Sequence, residues 1–158
     1  MARSTRIDDG RVSSIQKVPP GESGKTLPLS RLRHLASVLI TGAARAIGKS
    51  TAMQMAAEGS DVIAGVRTEQ DGKAIAATNP RRTSPVLLDI TNAEHISALA
   101  NSLPTQLNAV VNNARIAVSG PVEAVPPTEV RRTSFEVNVT GQRAVTQAVL
   151  PRLRRSRG

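Results

Sequence analysis

The sequence Thr41-Gly42-Ala43-Ala44-Arg45-Ala46-Ile47-Gly48 has the pattern of a tight turn between a strand and a helix. It links a short apolar run to a helical pattern through small residues, so the backbone can turn tightly at Gly42. The small residue at Ala46 lets the backbone approach a bound group, and Gly48 allows the helix to pack closely on the preceding strand. Because a helix amino terminus offers unpaired N–H groups and a positive dipole end, this stretch predicts a phosphate cradle.

Short apolar runs alternate with helical patterns on both sides of the cradle. The sequence predicts strands at residues 37–40, 61–66, 85–90 and 107–112, and helices at residues 46–58, 69–77, 93–102 and 128–153. The strand segments SVLI, VIAGV, PVLL and NAVV are apolar at successive positions, which is typical of parallel strands covered by helices on both faces. This alternation predicts βαβ units and an α/β fold with a doubly wound parallel sheet.

The 158 residues divide into a polar leader and one domain. Residues 1–36 contain a Pro-Pro-Gly segment and show no sustained periodicity, so we predict a disordered basic extension there. Residues 37–158 carry the strand and helix patterns and form the predicted domain.

Composition excludes several classes of function. The net charge of +9 would suit a nucleic-acid partner if it formed one basic patch. Lys and Arg outnumber Asp and Glu both before and after residue 37, so the positive charge is spread along the chain. Phe135 is the only aromatic residue, so stacking platforms for bases are missing and we expect no specific nucleic-acid partner. With no Cys and only two His we expect no metal site. No apolar run is long enough for a membrane span, and we expect a cytoplasmic protein.

Arginines near the cradle indicate which dinucleotide would bind. Arg67 directly follows the second predicted strand. At this position an acidic residue would bind the ribose 2′-hydroxyl of NAD, whereas an arginine suits the 2′-phosphate of NADP. Arg45 in the cradle can reach the same phosphate. We therefore predict NADP in preference to NAD. Glu69 lies nearby in the sequence, and its carboxylate is compatible with NAD binding. A further alternative is that both arginines are only exposed surface charges.

Four ordered motifs resemble those of the short-chain dehydrogenases/reductases. They are Thr41-Gly42-x-x-x-Ala46-x-Gly48, Leu88-Asp89-Ile90-Thr91, Val111-Asn112-Asn113-Ala114 and Val137-Asn138-Val139. The resemblance runs from about residue 37 to the end of the chain. It implies an oxidoreductase that binds a nicotinamide dinucleotide on a Rossmann-like fold, here an incomplete sheet of four strands in the order 3-2-1-4.

The resemblance also implies roles for individual residues. Asp89 would hold the adenine amino group, Asn112 and Ala114 would line the adenosine side of the cofactor, and Asn138 would be the Asn of the catalytic tetrad. Ile90 and Asn113 complete the implied cofactor-binding set, together with Arg67 and the cradle residues Thr41, Gly42, Ala44, Arg45, Ala46, Ile47 and Gly48.

Two residues depart from the family pattern near the cofactor. Ala46 replaces a glycine, and we expect a mild effect because a methyl group is small. Arg115 stands where the Asn-Asn-Ala-Gly motif of the family ends in glycine. Its side chain would either crowd the cofactor or turn out to solvent.

A third departure concerns catalysis. The family uses Tyr as general acid/base, assisted by Lys and Ser, and this sequence contains no Tyr. We therefore expect a truncated family member, a fragment that is the NADP-binding half of an oxidoreductase without turnover. The alternative is a non-catalytic binding or interaction module built on half of a Rossmann fold.

Such a half would leave apolar surface uncovered. The fourth strand would be an exposed edge, and the long last helix would keep apolar positions only partly covered. These positions are Val130, Phe135, Val137, Val145 and Val149. Self-association through the strand edge and the helix is therefore expected.

Overall fold

The computed structural model describes residues 37–121 and 123–156, so the extension predicted for residues 1–36 lies outside the described residues. Four strands alternate with helices in the predicted order. They are β1 (Ser37–Thr41), α1 (Ala46–Ala57), β2 (Asp61–Val66), α2 (Glu69–Ala76), β3 (Thr83–Leu87), α3 (Ala93–Ser102), β4 (Ala109–Val111) and, after a longer connection, α4 (Gln142–Ser156).

The four strands form one parallel sheet in the order β3-β2-β1-β4, which confirms the predicted fold and strand order. All five residues of β1 are buried because β1 lies between two other strands and beneath helices on both faces. Because all four strands are parallel, their carboxyl ends lie at the same edge of the sheet, where the loops that follow them form the site.

Strand β3 differs from the expectation of apolar burial on both faces. It begins at Thr83, two residues before the predicted start, and Ser84, Pro85 and Leu87 are exposed. Within the described part of the chain β3 pairs only with β2, so it is an edge strand. Proline is tolerated at such an edge because the missing N–H removes no ladder hydrogen bond.

Two apolar clusters cover the two faces of the sheet. One joins Val38 and Ile40 of β1 to residues of α1 and α2. The other joins Leu39 to α3, to the loop before β4 and to Val145 and Val149 of α4, which are both fully buried. The expectation that these two valines would be only partly covered was wrong, because α4 packs across α3 and β4.

The remaining part of the predicted last helix is more exposed. The described chain is helical from Pro127, with two wide π-helical segments at Val130–Ser134 and Glu136–Gly141 before α4 begins. Val137 is half-buried and Phe135 is exposed, whereas the side chain of Val130 lies outside the described part. At the other end, Arg152 and Arg155 donate to the carbonyl oxygens of residues 104 and 105.

Candidate functional site

Two glycines allow the cradle to close. Gly42 has φ +65°, a left-handed conformation that favours glycine, and a Cβ there would lie 2.9 Å from the Cα of Ala114. A Cβ on Gly48 would lie far inside van der Waals contact of the Gly42 carbonyl oxygen and the Asn113 amide nitrogen. The first turn of α1 therefore packs directly on the turn that follows β1.

The amino terminus of α1 differs from those of its neighbours. Thr68 caps α2 and Asn92 caps α3, each accepting hydrogen bonds from N–H groups of the first turn. Arg45 stands at the corresponding position before α1, with extended backbone and no side-chain capping bond. The Arg45 side chain therefore leaves the first N–H groups of α1 available to an anion.

Thr41 and Asn113 tie the end of β1 to the loop that follows β4. The Thr41 hydroxyl accepts from the N–H groups of Asn113 (3.0 Å) and Ala114 (2.9 Å). The Asn113 amide donates to the carbonyl oxygens of Thr41 and Gly42, at 3.0 and 3.1 Å. Thr41 is fully buried and supports the site from within, so its predicted role in contacting cofactor stays a prediction.

The π-helical segment Glu136–Gly141 and α4 hold the same loop through three polar side chains at four-residue spacing. Asn138 pairs with both backbone groups of Ile116, accepting from its N–H (3.0 Å) and donating to its carbonyl oxygen (2.9 Å). Gln142 donates to the carbonyl oxygen of Ala114, and Thr146 accepts from the Asn112 amide at 2.9 Å. Gln142 and Thr146 were not among the site residues predicted from the sequence, although their spacing from Asn138 is a helical signal for a shared face.

A cleft of about 510 Å³ opens over these loops. Eleven of the predicted cofactor-binding residues line it, and Thr41, Asn112 and Asn138 lie outside its lining. The eleven are Gly42, Ala44, Arg45, Ala46, Ile47, Gly48, Arg67, Asp89, Ile90, Asn113 and Ala114. This volume is typical of pockets for small molecules and cofactors.

Asp89 lies on the cleft wall in an ordered loop. Its carboxylate accepts from the Thr91 hydroxyl (2.7 Å) and the Thr91 N–H (2.9 Å). These bonds, aided by the charge of Arg67, hold the pKa of Asp89 below its ordinary value, so the group is ionised at neutral pH. The Asp89 N–H donates to Nδ1 of His95 at 3.0 Å, which gives His95 a structural role in the same loop.

The charged side chains on the cleft wall include one that the sequence analysis did not anticipate. Arg45 and Arg67 both line the cleft, as predicted from the sequence. Glu69 is exposed and lies outside its lining, whereas Asp71 lines it with an oxygen 4.0 Å from the Arg45 guanidinium. Asp71, and not Glu69, is therefore the acidic residue that opposes the effect of the two arginines on the choice between NAD and NADP.

The described residues contain no cluster of three or more His, Asp or Glu side chains that could hold a metal ion. None of the described helices is long and apolar enough to cross a membrane. The cytoplasmic location expected from the sequence stays a prediction.

Comparison with known proteins identifies the family. The family model described as short chain dehydrogenase matches residues 36–158. The chain belongs to the short chain dehydrogenase family. This is an oxidoreductase family whose members use nicotinamide dinucleotide cofactors.

Relatives and solved structures agree with this assignment. The chain is 32% identical over 127 residues to a 3-amino-tetrahydro-pyrrolizinone reductase from Xenorhabdus hominickii, a match that covers 77% of this chain and 43% of the reductase. It is 36% identical over 106 residues to a 3-alpha-(or 20-beta)-hydroxysteroid dehydrogenase from Mycobacterium tuberculosis, covering 65% of this chain and 40% of that enzyme. The chain therefore spans less than half the length of these curated relatives.

Two solved structures share the fold. A short-chain dehydrogenase from Streptomyces avermitilis superposes with a TM-score of 0.66 at 31% identity, over 75% of this chain and 44% of that one. A gluconate 5-dehydrogenase from Burkholderia cenocepacia, solved in complex with NADP and tartrate, superposes with a TM-score of 0.64 at 25% identity. The latter match covers 72% of this chain and 47% of the gluconate dehydrogenase.

Ala46 marks where this chain departs most clearly from the glycine pattern of the short chain dehydrogenase family. Its φ is +44°, and it is the one non-glycine residue of the described chain with a positive φ. The substitution was expected to be mild because a methyl group is small. That expectation about bulk beside the cofactor stays a prediction, and the left-handed backbone adds a separate cost of roughly 1–2 kcal/mol for the Cβ, whatever space surrounds it.

We expect Ala46→Gly to raise the free energy of unfolding by about 1 kcal/mol, because glycine adopts this conformation without the Cβ penalty. Thermal denaturation followed by circular dichroism measures the change, expected as a rise of roughly 2–4 °C. Ala57→Gly, at the exposed far end of α1, is the matched control and should lower stability by about 0.5–1 kcal/mol. An equal loss of thermal stability in both variants would contradict a left-handed conformation at Ala46.

Arg115, the other departure near the cofactor, is exposed and lines the cleft beside Ala114. Its place next to the turn at Gly42 adds a positive charge to the wall of the predicted dinucleotide site.

Proposed function

We propose that the domain beginning at residue 37 is an NADP(H)-binding unit of an oxidoreductase. The observation that carries this proposal is the common cleft: the cradle at residues 42–48 and the side chains of Arg45 and Arg67 line one cavity at the carboxyl ends of parallel strands. Open α/β sheets bind their ligands at such an edge.

The chemistry of the cleft suits a dinucleotide with an additional phosphate. The uncapped amino terminus of α1 suits the pyrophosphate, because its N–H groups and dipole favour an anion. A guanidinium can form paired charge-assisted hydrogen bonds with a phosphate, which a hydroxyl cannot reciprocate. The gluconate 5-dehydrogenase with the same fold was solved with NADP bound, which supports the proposal by analogy.

We expect NADP⁺ to bind about tenfold more tightly than NAD⁺, since hydrogen bonds to charged groups contribute about 1.5–3 kcal/mol and Asp71 opposes part of that gain. Isothermal titration of both cofactors measures the ratio. Arg67→Gln should reduce it to within about twofold. Arg81→Gln, a matched loss of charge at an exposed position outside the cleft, should preserve it. Equal affinities in the unmodified protein would show that the arginines are surface charges only.

We further propose that the polypeptide of these 158 residues binds cofactor without turnover. The sequence offers no Tyr for the family's proton transfer, and both polar groups of the Asn138 side chain are engaged by Ile116.

A second candidate, an interaction module, is favoured by apolar surface on the last helical segment. Phe135 and Val139 are four residues apart and are 59% and 51% exposed. Within the described residues β4 pairs with β1 alone, so its other edge is open. Self-association through these features is the corresponding proposal, and sedimentation velocity over a range of protein concentrations bears on it directly.

A further inference from the structure

Asp71 is fixed in position by the first turn of α2. Its Oδ2 accepts from the Thr68 hydroxyl at 2.9 Å, and its own N–H donates to the same hydroxyl oxygen at 3.1 Å. The side chain is 25% exposed. These reciprocal bonds hold the carboxylate at the cleft, so its negative charge remains there when a ligand enters.

The Asp71 carboxylate faces the guanidinium of Arg45, which belongs to the proposed 2′-phosphate site. The Asp71 Oδ1 lies 4.0 Å from the Arg45 guanidinium, whose side chain is 81% exposed. Arg67 lines the same cleft immediately after β2. An incoming phosphate would therefore compete with Asp71 for Arg45 and would be repelled by the carboxylate itself.

We propose that Asp71 is the residue that limits the preference of this protein for NADP(H) over NAD(H). This inference rests on the proposed dinucleotide binding and adds a determinant of selectivity to it. Its effect on the ratio of the two affinities comes from the 2′-phosphate, since NAD carries a neutral hydroxyl at that position and the pyrophosphate is common to both cofactors. A negative charge a few ångström from a phosphate dianion changes a binding constant by roughly five- to tenfold even in water-like surroundings.

A role confined to helix capping would give a different result. Loss of the cap at Thr68 would loosen α2 and weaken both cofactors together, with a lower melting temperature. Asp71→Asn removes the charge but keeps an oxygen that accepts from the Thr68 hydroxyl. A change in the ratio of the two affinities, at constant melting temperature, therefore separates selectivity from folding.

The test is isothermal titration of NADP⁺ and NAD⁺ into the full chain and its variants at low ionic strength. Asp71→Asn is expected to tighten NADP⁺ by roughly five- to tenfold and to leave NAD⁺ within about twofold. The gain should shrink as salt is added, because the charges are near solvent. Glu69→Gln is the matched control: it removes the same charge from the same helical turn, at an exposed residue outside this cleft.

The experiment separates the role of Asp71 from NADP(H) binding itself. An unchanged ratio in Asp71→Asn, or an equal change in Glu69→Gln, overturns the role of Asp71 and leaves NADP(H) binding standing. Failure of the unmodified protein to bind either dinucleotide overturns both. Asp71→Ser, which also removes the charge at a position near the helix start, replaces Asp71→Asn if that variant does not fold.

Discussion

Gly48→Ala is expected to abolish binding of both NADP⁺ and NAD⁺. The added methyl would lie far inside contact distance of the Gly42 carbonyl oxygen and the Asn113 amide, and 3.0 Å from the Gly42 carbonyl carbon. Two of these three atoms belong to the backbone, so the clash cannot be relieved by a side-chain rotation. The first turn of α1 would have to move away from β1, and the N–H groups that face the phosphate would move with it.

The expected cost is about 1–3 kcal/mol of folding stability, as for overpacking elsewhere, together with at least a hundredfold loss of affinity. Titration calorimetry and thermal denaturation of the same sample measure the two effects. Gly42→Val should behave alike, because it combines a φ of +65° with a contact to Ala114.

Ala57→Val is the control for added bulk, since it enlarges an exposed residue at the far end of α1. It should leave the affinities for both dinucleotides within about twofold, because α1 stays in place on β1. A Gly48→Ala protein that binds NADP⁺ normally would show that the helix does not pack on the Gly42 turn as described.

The polypeptide of these 158 residues is expected to show no dehydrogenase or reductase turnover above background with any carbonyl or alcohol. Hydride transfer to a carbonyl leaves an alkoxide that must be protonated in or near the transition state, and a positioned general acid contributes about 10²–10⁴-fold. The sequence supplies no Tyr for this step. Asn138 cannot replace it, because an amide is not an acid and its two polar groups bond to Ile116.

Absorbance of NADPH, followed with a panel of ketones, aldehydes and alcohols at high protein concentration, measures this rate. The Gly48→Ala protein is the control, since it should bind no cofactor and give the same background. A rate that copurifies with the unmodified chain and disappears in Gly48→Ala would contradict the prediction. Such a rate would show that a residue other than Tyr performs the proton transfer.

The sequence by itself determined the alternation of strands and helices, the bounds of β2 and α3, and the cradle at residues 41–48. These features depend on local properties: hydrophobic periodicity, capping residues and the need for glycine where the backbone is crowded. The family resemblance then indicated the strand order, and the structure confirmed it.

Only the tertiary structure decided which side chains face the cleft. Asn138 engages Ile116 over 22 residues of chain, and the Asn113 amide reaches Thr41 over 72. The position of Asp71 beside Arg45 follows from the packing of α2 on the sheet. Neither periodicity nor motif spacing describes contacts between distant residues, because the direction of a side chain depends on neighbours that only the packed fold brings together.

The conformation of Ala46 also belongs to the packed fold. A small residue satisfied the sequence pattern, but the positive φ arises because the turn must join a buried strand to a helix that packs directly against it. Backbone strain of this kind comes from the surrounding structure and not from the size of the side chain. The sequence thus shows where the cradle lies, whereas tertiary packing sets the conformational free energy that Ala46 costs at that position.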